Sequence, residues 1–183
     1  EPRVRYEAAL KISDIAGELH YAGSSQVART LSEMVRLSDK PTVILVETRS
    51  EVILPAETFL GNLGMNVEVA STVAEVQRVV AEGGDIRLLL AKNELSDLPA
   101  IEMIDRVRRM HRGRELPIVV YGDHIPYLGA PRWDATTSWI QGDVSLSSLQ
   151  ELFDIVKRSR RMPALTILDR QRYRDAATEI LTP

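Results

Sequence analysis

The chain contains no cysteine, which excludes disulfides, thiolate metal sites and a cysteine nucleophile, and agrees with a reducing compartment. Histidine is nearly as scarce. His20, His111 and His124 fall on three separate elements, none with a neighbour at ligand spacing, so a zinc-type site has no basis. No apolar run approaches the roughly 18 residues of a membrane span, and no signal peptide opens the chain. No Gly-x-Gly-x-x-Gly follows a strand, which removes the usual dinucleotide signature. The expectation is a cytoplasmic protein with no membrane partner, no metal and no cofactor.

Charge excludes further classes. Lys and Arg number 23 against 26 Asp and Glu, a net charge of −3, so no overall field draws the chain to nucleic acid. The basic run "RVRRMHRGR" at 106–114 has no interleaved aromatics for base stacking. It reads as cations complementing the negative end of a helix dipole.

What is present is an ordinary globular composition, 44% apolar and 27% charged over 183 residues, enough for one core and a small appendage. The opening "EPRVRYEAAL" has no initiator Met and enters a helical pattern at once, as expected of a fragment of a larger or processed protein. Val4, Ala8, Ile12, Ile15 and Leu19 are spaced as one helix face. A second helix follows on Val27, Leu31, Met34 and Val35, with Ser24 or Ser25 as N-cap. Residues 1–40 therefore predict a helical hairpin that must dock on something to bury its face.

After Lys40-Pro41 strands and helices alternate. "TVILVE", "MNVEVA", "DIRLLLAK", "LPIVVYGD" and "TTSWIQ" read as buried strands. A helix over 51–64 tolerates Pro55 only in its first turn and ends at Gly64. Thr72 and Glu75 form a capping box for the next helix, and a third runs from about Pro99 to His111 on Ile101, Ile104 and Val107. The segment 124–136 is rich in Pro and Gly, so a fourth helix there is short or lost. Ser145 or Ser147 opens a last crossover helix on Leu149, Leu152, Phe153 and Val156. Residues 41–161 thus predict an α/β domain, a five-stranded parallel sheet with helices on both faces. Residues 162–183 predict a helical tail, started by Thr166 with Asp169 and carried by Tyr173, Ala176, Ala177 and Ile180.

On these residues the stretch 42–159 resembles a response-regulator receiver domain, a flavodoxin-like fold. Glu47 and Gly64 keep the family's interval between the first acid and the glycine after the first helix. "AIEMIDRVRR" is similar to its third helix and "LPIVVYGD" to its fourth strand. The resemblance implies a phosphorylation site in which two acids and a phosphoacceptor aspartate bind Mg²⁺, while a hydroxyl and a lysine orient the phosphoryl group. Carried onto this chain, the acidic pair falls on Glu47 and Thr48, the acceptor on Lys92, the hydroxyl on Gly122, and the lysine-proline step on Gly142-Asp143. The expectation is a degenerate site in which Lys92 pairs with Glu47. Residues 1–40 are similar to a HEAT-type repeat unit, on the pattern of "EPRVRYEAALKI".

Glu47, Asp123 and Asp143 would share the C-terminal rim of the sheet. They read as loop acids, although three acids are a chemically adequate set for a divalent ion. Tyr127, Trp133, Trp139 and Ile140 fall where receiver-like domains dimerise, and stand as candidates for an interaction surface or for core cover. The expected function is that of a non-enzymatic pseudo-receiver that meets a protein partner, neighbouring domains or a second copy. The alternatives are a working receiver that takes phosphate from a histidine kinase, and small-molecule binding at the strand ends.

Overall fold

The computed structural model describes residues 2–16, 21–123, 136–142, 150 and 165–182. The expectations for Tyr127, Trp133, Asp143, His20, His124, the segment 124–135 and the helix opened by Ser145 or Ser147 lie outside the described residues. In chain order the elements are α1 (Pro2–Ala16), α2 (Ser24–Val35), β1 (Thr42–Val46), α3 (Ser50–Asn62), β2 (Asn66–Ala70), α4 (Val73–Glu82), β3 (Ile86–Lys92), α5 (Ala100–Arg109), β4 (Ile118–Gly122), β5 (Thr137–Gln141) and α6 (Ile167–Leu181). The chain forms two compact units, one of Glu1–Lys40, Gly83–Asp85 and Met162–Pro183, the other of Pro41–Glu82 and Ile86–Arg161.

The second unit is a five-stranded parallel sheet in the order β2-β1-β3-β4-β5, the fold class read from the sequence. Strand side chains alternate between faces, and each face has its own core. Ile44, Val46, Leu89, Ala91, Ile118 and Val120 pack with α4 and α5 through Val76, Val80, Met103 and Val107. On the opposite face Val43, Leu45, Leu88, Leu90, Val119 and Tyr121 pack with Ala56 and Leu60 of α3. Burial on both faces is why the central strands are nearly continuous apolar runs. Each fully buried Leu, Ile or Val contributes about 1.5–3 kcal/mol.

The helix ends carry local signals. Gly64, at φ 77°, ends α3, and the Gly64 N–H donates to the Gly61 carbonyl while Met65 N–H donates to Leu60, each at 3.0 Å. That pair is a Schellman closure. Pro55 lies beyond the first turn of α3, contrary to the sequence expectation. It is exposed, so water can satisfy the carbonyl that loses its helical donor. In the Thr72–Glu75 box the Glu75 N–H donates to Thr72 Oγ1 at 3.3 Å, and the Glu75 carboxylate also accepts from the Ser71 N–H and hydroxyl, at 2.6 and 2.9 Å.

The first unit packs α1, α2 and α6 around Tyr6, Leu31, Met34, Tyr173 and Ala177. Thr166 and Asp169 form the reciprocal capping box expected for α6. The α2 N-cap is Gly23 rather than Ser24 or Ser25. The face of α1 also differs from the periodicity. Val4 is 62% and Ile15 84% exposed, while Tyr6 and Ala9 are buried. Polar partners decide this face: the Tyr6 ring meets Tyr173 edge-on at 5.2 Å, and its hydroxyl donates to Glu33 at 2.8 Å. Arg5 grips the same carboxylate at 3.0 and 3.2 Å. Burial and the neighbouring Glu33 push the Tyr6 phenol above its ordinary range. A second buried pair, Arg170 with Asp85, closes this unit.

Candidate functional site

In an open α/β sheet ligands meet the carboxyl ends of the strands, and the sequence-derived positions assemble there. Val46, Ala91 and Val120 lie in register across β1, β3 and β4. The next residue on each strand is Glu47, Lys92 or Tyr121, so the three share one row. Gly122 follows Tyr121, and Gly142 comes just after β5, donating its N–H to the Gly122 carbonyl at 3.0 Å.

Glu47 is 3% exposed and its carboxylate is fully engaged. Arg49 donates from Nη2 to Oε2 at 2.8 Å and from Nε to Oε1 at 3.2 Å. Tyr121 Oη donates to Oε2 at 2.7 Å, its side chain crossing β3 to do so. The N–H groups of Thr48 and Arg49 complete the set at 2.9 and 3.2 Å. Burial alone would raise the acid, but the bonds from Arg49, Tyr121 and the two amides outweigh it and hold the carboxyl at about 2. The partners of Glu47 are thus Arg49 and Tyr121, and the expected Glu47–Lys92 pair does not form. Arg49 folds back from the turn after β1 to reach both oxygens.

Lys92 instead lines a small depression with Glu47, Thr48, Ser71, Glu94 and Ser96. Its loops are tied together. Ser96 Oγ donates to the Ser71 carbonyl at 2.9 Å, and Asp97 accepts from the Val73 N–H at 2.9 Å. The cavity volume is about 20 Å³, room for a single water and far below the several hundred Å³ of an organic ligand site. The reading of a small-molecule site therefore finds no support among the described residues.

The residues also do not fit a divalent metal. Mg²⁺ needs carboxylates free to coordinate. Here Glu47 is bound on both oxygens, Thr48 offers only a hydroxyl, and an ammonium stands at the β3 tip. No cluster of three His, Asp or Glu able to hold a metal occurs among the described residues. Gly122 has φ 146°, a conformation that side-chain-bearing residues rarely adopt. A β-carbon there would lie 3.2 Å from Asn93 Cβ, so the backbone itself is set for glycine.

Trp139 and Ile140 of β5 are half-buried and alternate in facing. Trp139 packs against the α4/α5 core and Ile140 against the α3 core, so the strand does not bring them onto one surface. Sequence reasoning missed Arg49 and Tyr121. Tyr121 carried a signal, since strand alternation places it on the same face as Leu45 and Glu47.

This topology is the flavodoxin-like fold, which response-regulator receiver domains share. No protein-family model matches the chain, and no curated protein sequence does. Solved structures do match. A response regulator receiver protein from Sinorhizobium medicae WSM419 is 16% identical with a TM-score of 0.57, over 67% of this chain and 98% of that one. A two-component response regulator from Clostridium difficile is 12% identical with a TM-score of 0.54, over 67% of this chain and 100% of its own. A CheY-like receiver domain from Methylobacillus flagellatus gives 12% and 0.54, over 64% and 98%. At these identities the shared property is the fold. No helix among the described residues is long and apolar enough to cross a membrane.

Proposed function

We infer that this chain is a pseudo-receiver, a non-enzymatic module that acts in signalling through protein contacts and independently of phosphorylation. The observation that carries the reading is the closed Glu47–Arg49–Tyr121 cluster beside Lys92. A phosphorylatable site needs an aspartate where Lys92 stands and a carboxylate open to metal where Arg49 has closed Glu47. Coulomb repulsion from the Lys92 ammonium further opposes a divalent cation at that point. The N-terminal helical pair fits the same reading as a HEAT-like unit of a helical scaffold.

The test is a Mg²⁺ titration followed by amide NMR at residues 47–49, 92–94 and 121–122. The expected result is no saturable shift up to roughly 10 mM Mg²⁺, where working oxygen-ligand sites are largely filled. A saturable shift confined to those residues would reopen the reading of a working receiver.

A further inference from the structure

We propose that the surface at the C-terminal end of α5, carried by Arg106, Arg109 and Arg114, docks an acidic segment of a partner protein. The proposal rests on the reading above only in taking the partner to be a protein.

Several arginines elsewhere in the described residues are matched to acids. Arg5 holds Glu33, Arg49 holds Glu47, Arg78 holds Glu82, Arg170 holds Asp85 and Arg172 holds Glu7. The run 106–114 divides differently. Two of its arginines build the scaffold: Arg108 donates to the carbonyls of Gly113 and Leu116 at 2.6 and 2.7 Å, and to the hydroxyls of Thr136 and Thr137 at 2.9 Å. Arg112 donates to the Ala81 carbonyl at the end of α4. Gly113 is pressed so closely on Val107 that a β-carbon would collide with the Val107 carbonyl, which folds the turn back onto the last turn of α5.

The other three are left over. Arg106, Arg109 and Arg114 are exposed, and among the described residues none has a carboxylate or carbonyl partner, although Glu102, Asp105 and Glu115 are near in sequence. The fold-back of Gly113 onto Val107 brings Arg114 to the end of the helix that carries Arg106 and Arg109. A chain of net charge −3 thus holds three exposed guanidinium forks on the end of α5 and the turn that follows it. Such forks match carboxylates two bonds at a time, and their charge steers an acidic partner during encounter. The sequence expectation, cations soothing a helix dipole, accounts for one turn of helix but not for Arg114 beyond it.

An acidic peptide suits this surface better than nucleic acid. Glu102, Asp105 and Glu115 among the arginines would repel a continuous phosphate backbone, and residues 100–116 contain no Phe, Tyr or Trp to stack on bases. A peptide can place its carboxylates selectively.

The experiment is fluorescence anisotropy of a labelled peptide of about ten glutamates against the whole chain, at roughly 20 mM and 150 mM salt. The triple variant Arg106→Glu, Arg109→Glu, Arg114→Glu should weaken binding at least about tenfold. The charge-matched variant Lys11→Glu, Arg29→Glu, Lys40→Glu, all exposed positions in the helical unit, should retain it, with both folded by circular dichroism. Equal losses in the two variants, no binding at low salt, or tighter binding of a single-stranded oligothymidine would each overturn the proposal. Phosphodonor reactivity is read separately, so failure here does not merge with failure of the pseudo-receiver reading.

Discussion

Replacing Arg170 with alanine is expected to destabilise the helical unit by about 3–5 kcal/mol, the usual cost of leaving one member of a buried pair without its partner. The two side chains are 3% and 4% exposed, so Asp85 would lose its guanidinium partner where water has little access. Asp85→Ala should cost a similar amount, for the mirror reason. The two losses should not add, because the second substitution removes the charge that the first stranded. Combined replacement by apolar residues of similar size, Arg170→Met with Asp85→Leu, should come out near neutral. Urea unfolding of the three variants, followed on the helical signal, decides the matter. Single losses below about 1 kcal/mol would mean that water reaches the pair.

The second large effect is at the strand ends. Glu47→Ala should cost about 3 kcal/mol, because the buried Tyr121 hydroxyl loses its acceptor and Arg49 loses its counter-charge. Arg49 is partly exposed, with 29% of its side chain open, which keeps the figure at the lower end of the range for buried pairs. The same cluster predicts an acid dependence. Folding lowers the Glu47 carboxyl from 4.5 to about 2, so the unfolded chain takes up a proton before the folded one does. The stabilisation is therefore complete above pH 4.5 and is lost as pH falls from there toward 2. In Glu47→Gln this contribution should vanish. The difference in urea midpoint between wild type and E47Q should shrink steadily across that window, and a constant difference would show that Glu47 does not titrate as the geometry requires.

Much of this was legible in the sequence, for identifiable reasons. The run from Thr42 to Val46 is apolar because it is covered on both faces, and that pattern survives any choice of neighbours. Thr166 and Asp169 announced α6 because a capping box is complete within four residues. The α1 face was misjudged because the periodicity favoured Val4, Ile12 and Ile15, whereas the structure buries Tyr6 for its ring contact with Tyr173 and its bond to Glu33. Those partners lie on α2 and α6, and no local spacing reports them.

The strand-end cluster was legible in place but not in pairing. The resemblance to receiver domains placed Glu47, Lys92 and Gly122 at the sheet's carboxyl edge. The choice between Lys92 and Arg49 as partner depended on the path of the turn after β1, where Arg49 folds back two residues to its acid. Tyr121 could be found only by following side-chain alternation across β3. That no aspartate stands at the end of β3, by contrast, needed no structure, since "LLLAKNELSD" carries none before Asp97.

The account stands most directly on one measurement, the intact mass of the whole chain after incubation with Mg²⁺ and acetyl phosphate, compared with a working receiver treated in parallel. The predicted result is an unchanged mass, with the control receiver carrying a phosphoryl group. A stoichiometric phosphoryl adduct that localises to the strand ends would contradict it.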